Sequence, residues 1–292
     1  MLYDREIKID IKLAEPYPSS GYRGNLKIQN LRTQFSVLKT ITPSFNTCAL
    51  RVYNLSPTNR DLLGNQGNQI NLFAGYKKNG GSQLLFKGNN TEVQIAYTGS
   101  DIITELQCTD GETIFTKIVV QVSFVANTRV RTIIESIASQ VGIDTVFFAD
   151  SESLVYAQGF SASDLAGRVL TDLCNKLDLR YTIQNGNLYI LKIAEGSEKL
   201  PHDVNKNTGM IGNPDQYLDK TYYQYNELPK NIDPKLGYKI KTLLRPEILP
   251  SDNIRLKSER LKLDGLFYVI SARHIGDNFD NEFNSIFEVV PV

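Results

Sequence analysis

The sequence predicts an α+β, mainly β protein in which an α+β module sits between two antiparallel β domains, and three observations carry that prediction. Short apolar alternations broken by turn residues fill about the first 110 positions, the mark of a barrel or sandwich. The period then changes from two to that of an amphipathic helix after Asn127, and alternation returns from Gly237. The expected boundaries are 1–120 for the first β domain, 121–195 for the module, 196–236 for a connector and 237–292 for the second, smaller β domain.

In chain order, Ile7, Ile9, Ile11 and Leu13 share one face of an opening strand that ends at Pro16-Tyr17-Pro18-Ser19-Ser20-Gly21. Alternations follow at Leu26/Ile28, Phe35/Val37, Cys48/Leu50/Val52, Ile70/Leu72 and Leu84/Phe86. Val93–Tyr97 and Ile102–Leu106 flank Thr98-Gly99-Ser100-Asp101, where a glycine in the first turn position suits a type II′ hairpin. Phe35, Cys48, Leu50, Val52, Ile70 and Leu72 are therefore expected in the first core.

From Thr128, read as an N-cap, Val130, Ile133, Ile134, Ile137, Ala138 and Val141 recur on one helical face, with Gly142 at the C′ position. Thr145–Phe148 reads as a strand. A second helix is predicted from Ser161, with Asp164 as its capping-box carboxylate, through Leu165, Val169, Leu170, Leu173, Cys174 and Leu177. Asn185-Gly186 joins Tyr181–Gln184 to Asn187–Ile190 as a type I′ hairpin, since both turn positions require positive φ. Glu195 to about Pro234 is polar and carries Tyr217, Tyr222, Tyr223 and Tyr225, which read equally as a partner-contact face or as a strand packed on the second β domain. Phe267, Val269, Phe283 and Phe287 are expected in the second core.

Composition narrows the function. With 292 residues, 32 Lys+Arg against 32 Asp+Glu and no Trp, there is no global electrostatic pull toward nucleic acid or anionic membrane. The charged start Met1-Leu2-Tyr3-Asp4-Arg5-Glu6 does not fit a signal peptide and no apolar run reaches the ~18 residues of a membrane span, so synthesis in the cytosol and no membrane anchoring are expected. Cys48, Cys108 and Cys174 are odd in number and lack any CxxC spacing, and read as core thiols.

Little in the chain points to catalysis. His202 and His274 are its two histidines, neither lies in HExxH, and His274 reads as a satisfied strand histidine. Asn79-Gly80-Gly81-Ser82 lies between strands and reads as a hairpin loop rather than a phosphate cradle. Asp277, Asp280 and Glu282 offer oxygen ligands in principle, but their spacing is not that of an EF-hand and acidic turns are common between strands. Paired carboxylates for glycoside hydrolysis find no sugar platform, and Asn54-Leu55-Ser56 and Asn89-Asn90-Thr91 match the glycosylation pattern by chance. No cofactor, metal or catalytic residue is nominated.

One set of motifs does resemble a family. Val37–Thr40 leading through Phe45–Val52 to Tyr53-Asn54-Leu55-Ser56, then Ile70–Tyr76 with Gly75 and Tyr76, Leu85–Gly88, Ile102–Thr104 and Asp110-Gly111, resembles the early strands of tail hub proteins from tailed phages. Leu243–Pro246 with Pro250, Gly265–Ile270 and Arg273-His274-Ile275-Gly276-Asp277 resembles that family's second barrel, with Phe283 at a position where the family commonly has Trp. The resemblance implies two tail-tube-like barrels, a contractile-tail baseplate hub and a homotrimeric ring that adapts the sixfold tail tube to the threefold central spike without enzymatic activity. It further implies contacts with the tail tube or tube-initiator protein, the central spike as a separate polypeptide, the tape measure protein and baseplate wedge proteins, and transient passage of DNA. A tail-tip receptor- or carbohydrate-binding protein, or a tail-associated cell-wall hydrolase, are the rival readings.

Overall fold

Apolar residues at every second position fold the N-terminal part into strands. In the computed structural model, which describes residues 4–14, 24–42, 44–78, 80–112, 116–147, 153–192, 200–218 and 236–292, these are β1 (Arg5–Lys12), β2 (Asn25–Ile28), β3 (Thr33–Thr40), β4 (Thr47–Tyr53), β5 (Gln69–Tyr76), β6 (Gly81–Thr98) and β7 (Asp101–Thr109). Helix α1 (Pro57–Leu63) interrupts them, unforeseen in the sequence although Ser56 accepts from Asn59 N–H as N-cap and Pro57 opens the first turn.

The central segment contributes β8 (Val119–Phe124), β9 (Thr128–Arg129), α2 (Val130–Val141), β10 (Asp144–Phe147), β11 (Val155–Tyr156), β12 (Phe160–Leu165), α3 (Ala166–Asn175), β13 (Leu179–Gln184) and β14 (Asn187–Lys192). Helix α2 has its predicted bounds and ends at Gly142 with φ 77°, whose N–H donates to Ala138 and Ser139 carbonyls. Its N-cap is Arg129 rather than Thr128, because Thr128 is taken into a strand and its hydroxyl donates to the Val125 carbonyl. The second predicted helix starts later: Ser161–Leu165 is strand, pairing residue by residue with β8, and Asp164 accepts from its neighbour Leu165 N–H and pairs with Arg168 at 3.6 Å instead of capping a helix at Ser161. Sheet pairing here overrides the local capping signal. Asn185 (φ 54°) and Gly186 (φ 83°) make the predicted turn of the β13–β14 hairpin.

The C-terminal part has β15 (His202–Val204), a 3₁₀ turn (Lys206–Thr208), β16 (Met210–Leu218), β17 (Leu236–Leu243), β18 (Asn253–Ser258), β19 (Leu263–Asp277) and β20 (Phe283–Pro291). Strands β15 and β16 thus lie in the stretch read as a connector, whose Asn, Asp and Gly content masks their short alternation. Pro16–Gly21 and Tyr222, Tyr223 and Tyr225 lie outside the described residues.

The β strands outside the module follow one path, β16-β17-β20-β19-β3-β4-β7-β6-β5-β1-β2, with β18 on β19 and β15 on β18. The mainly β, α+β class is as expected, but among the described residues the path does not close on itself as a barrel. Strand β19 bridges the two β regions. It runs for 15 residues, so its first half pairs with β18 while its second half pairs with β3, and it joins the two β regions in one sheet.

Three apolar cores result. The first holds Ile7, Ile9, Ile11, Phe35, Cys48, Leu50, Val52, Ile70 and Leu72, as expected. The second lies within the module, where α2 and α3 cover the β13–β14 hairpin. The third holds Phe267, Val269 and Phe287. Phe283 departs from expectation and packs in the first core together with Leu244, because β20 begins beside the β3–β19 pairing and points that ring across it.

Candidate functional site

Several of the residues singled out by motif lie at two junctions, one between the β regions and one where the module docks. At the first, β3 and β19 pair from Ser271↔Thr40 to Asp277↔Gln34. Gly276 lies opposite Phe35 on one side and Phe283 on the other. A Cβ there would come within 2.4 Å of Phe35 and 2.8 Å of Phe283, so only glycine lets the two rings meet edge-on at 5.9 Å. Tyr76 stacks edge-on with Phe283 at 5.2 Å, donates its hydroxyl proton to the Phe283 carbonyl at 3.1 Å and accepts from Leu244 N–H at 3.4 Å. One side chain of the first region therefore fixes two segments of the last.

His274 is fully buried two residues earlier. Its Nδ1 is 2.8 Å from Ser285 Oγ, which also accepts from Arg245 N–H at 2.9 Å. Burial, helped by the nearby Lys39, pushes the imidazole pKa down to about 3, so the ring stays neutral. Asp277 ends the strand. Burial raises its pKa, but hydrogen bonds from Arg32 (2.9 Å), Gln34 (2.8 Å) and Phe279 N–H (2.8 Å) outweigh that and hold the carboxyl below the ordinary range. Its oxygens are occupied by donors, which removes it from the cation-ligand reading.

The second junction is polar. Lys39 follows Phe35 and Val37 on the inward parity of β3, is fully buried, and donates from Nζ to Asn185 Oδ1 at 2.8 Å, at the tip of the β13–β14 hairpin. Asn46 donates through its backbone N–H and Nδ2 to the two oxygens of Asp110, both at 2.8 Å, and Nδ2 also reaches the Ile183 carbonyl at 2.6 Å. Thr182 Oγ1 and Gln184 Nε2 both donate to the Thr40 carbonyl at 2.9 Å. Burial lowers the Lys39 pKa against the pull of Asp110, and burial raises the Asp110 pKa against its Asn46 donors. Sequence reasoning nominated Asp110 but missed Lys39, Asn46, Thr182 and Gln184. A lysine on an apolar parity was the available signal.

The remaining motif residues are structural in the same sense. Asn54 (φ 56°) turns the chain after β4, donating to Asp101 Oδ1 and accepting from Ile102 N–H. Leu55 is buried and Ser56 caps α1. Gly75 and Gly88 sit where a Cβ would meet the carbonyls of Gly81 at 2.3 Å and Thr109 at 2.4 Å. Gly111 takes φ 70°, Gly265 faces the Phe267 ring, and buried Pro246 lines a cavity with Tyr76 and Leu244. Tyr217 lies in β16 with its ring against Gly237.

All three cysteines are free and buried, and burial holds Cys48 well above the ordinary thiol range and Cys108 and Cys174 at about 12, so no thiolate nucleophile forms at neutral pH. No cluster of three metal-ligating side chains occurs among the described residues.

The fold is that of tail proteins. The structure superposes on the 43 kDa tail protein of prophage MuSo2 from Shewanella oneidensis with a TM-score of 0.68 at 10% identity, covering 99% of this chain and 98% of that one. It superposes on the tail protein from Neisseria meningitidis MC58 with a TM-score of 0.65 at 10% identity, covering 99% and 97%. The E. coli c3393 protein, a type VI secretion component with structural similarity to the T4 bacteriophage tail proteins gp27 and gp5, gives 0.61 at 11% identity over 89% of this chain and 73% of that one. A search of curated proteins finds no match. Residues 17–217, more than half of the chain, match the baseplate hub gp41 family model, and the chain belongs to that family. It is a structural component of the phage tail baseplate, located in the virion.

Proposed function

We propose that this hub protein forms a homotrimeric ring that adapts the sixfold tail tube to the threefold central spike and lines the ejection channel. The observation that carries the reading is the β3–β19 pairing, which holds two β regions of one chain in a fixed relation. Three copies then offer six β units to a sixfold neighbour and keep threefold symmetry toward the spike. In this reading 1–120 and 237–292 are the tube-like units, 121–195 is the intervening module, and 196–236 combines strands with a linking segment. The tube or tube-initiator protein lies above and the spike below, with tape measure and wedge proteins as further neighbours. A chain of the Francisella PdpA-VgrG complex shares the fold at a TM-score of 0.57 and 10% identity, over 100% of this chain and 58% of that one, which supports a place beside a spike.

The ring acts without chemistry. Buried Lys39 and Asp110 are engaged in docking the module, and equal numbers of basic and acidic residues suit a channel that passes DNA without holding it. Lys239, Lys241, Arg255 and Lys257 are exposed, and Arg255 and Lys257 share Asp264 at 3.8 and 3.7 Å. Quantitative mass spectrometry of purified tails, calibrated with labelled peptides, tests the stoichiometry: three copies per tail are expected, and six would overturn the reading.

A further inference from the structure

Lys39 is fully buried, yet among the described residues its Nζ has one hydrogen-bond partner and no ion pair. That partner is a carboxamide: Asn185 Oδ1 accepts from Nζ at 2.8 Å across 146 positions of sequence. A buried ammonium without an ion pair is costly, and docking alone does not call for one, since a neutral donor would hold the same oxygen. A desolvated lysine in its amine form is a nucleophile, and the atom bonded to Asn185 Oδ1 is an acyl carbon. With a C=O bond of ~1.2 Å, Nζ lies within about 4 Å of Asn185 Cγ, close to the ~3–3.5 Å of a reactive contact.

The surroundings fix both partners. The Asn185 turn is held against β3 by Thr182 Oγ1 and Gln184 Nε2, which donate to the Thr40 carbonyl at 2.9 Å, and by Asn46 Nδ2, which donates to the Ile183 carbonyl at 2.6 Å. The Lys87 side chain covers the next residue, Gly186, so closely that a Cβ there would stand 3.0 Å from its Nζ. Asp110 is the carboxylate whose charge acts on Lys39; it is 3% exposed and held by Asn46 through two hydrogen bonds of 2.8 Å. Burial favours the neutral form of each. A proton passed from Lys39 to Asp110 therefore leaves an amine and a carboxylic acid in place of two buried charges.

We propose that Lys39 and Asn185 join in an intramolecular isopeptide bond that ties the module covalently to β3. Asp110 takes the proton of the Lys39 ammonium, and the amine attacks Asn185 Cγ. The Nζ–Cγ bond forms, the Cγ–Nδ2 bond breaks, and one amine hydrogen goes with Nδ2, which leaves as ammonia. The products are a secondary amide and ammonia, with nothing oxidised or reduced. The step occurs once per folded chain, adds no turnover to the ring and does not depend on its threefold arrangement. A junction otherwise made of hydrogen bonds can then no longer open.

Tryptic digestion of the purified full chain, read by tandem mass spectrometry, tests the bond. A linked Lys39 resists cleavage, so the expected product is a branched species joining 33–51 to 181–192, lighter than the two peptides together by one ammonia, about 17 Da. Asn185-Gly186 can lose the same ammonia by closing a succinimide on its own backbone, and the fragment ions separate the two by the site of attachment. Free peptides 33–39 and 181–192 of unchanged mass, or ammonia loss confined to 181–192, overturn the proposal. Asp110→Asn is expected to lower the linked fraction about tenfold or more while thermal unfolding stays cooperative. Full linkage in that variant would overturn the transfer to Asp110, and the wild-type digest decides the bond itself even if the variant does not fold.

Discussion

Gly276 of β19 lies directly opposite Phe35 of β3, so close that a Cβ on the glycine would stand 2.4 Å from the phenyl ring. The two β regions approach one another closely there, and the contact depends on a missing side chain. Gly276→Ala is therefore expected to force the Phe35 and Phe283 rings apart at a cost of about 1–3 kcal/mol, read as a lower urea midpoint. Adding Phe283→Leu makes room and should recover part of that loss. A midpoint unchanged in Gly276→Ala would mean that the rings yield freely and do not set the junction.

Docking of the module rests on Asn46. Removing its amide leaves the Asp110 carboxylate and the Ile183 carbonyl short of a donor, and each buried group left unsatisfied costs about 1–3 kcal/mol. Asn46→Ala is expected to lower overall stability and to speed amide exchange in β13 more than in α2, whose contacts lie within the module core. Equal protection in both would show that the polar junction does not hold the hairpin.

The neutral His274 ring gives a pH signature. Its folded pKa is depressed to about 3 from 6.5, so as pH falls below 6.5 the unfolded chain gains a proton that the folded chain refuses. The stabilisation is full above 6.5 and is lost toward pH 3, with a slope of at most about 1.4 kcal/mol per pH unit. Asp110, with its raised pKa, acts in the opposite sense, stabilising at low pH and losing this as pH rises, but it is common to wild type and variant. Between pH 6.5 and 4 the urea midpoint of wild type should therefore fall more steeply than that of His274→Gln. Parallel curves would show that His274 takes up its proton in the folded state.

Burial and exposure predict opposite outcomes at two large side chains. Leu50, 1% exposed in the first core, should cost about 2–5 kcal/mol on truncation to Ala, through lost transfer energy and a cavity. Phe279, 72% exposed, should change stability by only about 0.5 kcal/mol. Calorimetry of the two variants side by side separates them, and a comparable loss in both would refute the assigned parity of the loop or the core.

Much of the β architecture was legible because burial on one face leaves a period of two, as in Cys48, Leu50 and Val52, and because Asn185-Gly186 requires the backbone that only a tight hairpin supplies. Helix α2 was legible for the same reason at another period. Ser161–Leu165 was misread because a capping pattern is local, whereas the pairing with Val119–Phe124 that decides its conformation comes from elsewhere in the chain. The join of β3 to β19 was also illegible, since no pattern in either strand names its partner more than 200 positions away. At the junctions, Gly276, His274 and Asp277 drew attention as a motif, but their roles depend on Phe35, Ser285 and Arg32, which local sequence does not connect to them.

The central claim is geometric, and a cryo-electron microscopy map of the intact tail, reconstructed without imposed symmetry through the baseplate, tests it most directly. The account predicts three copies of this chain in one ring, each contributing two β regions beneath the sixfold tube and contacting a threefold spike. Six copies in that ring, or copies at the periphery of the tail tip away from the channel, would contradict it.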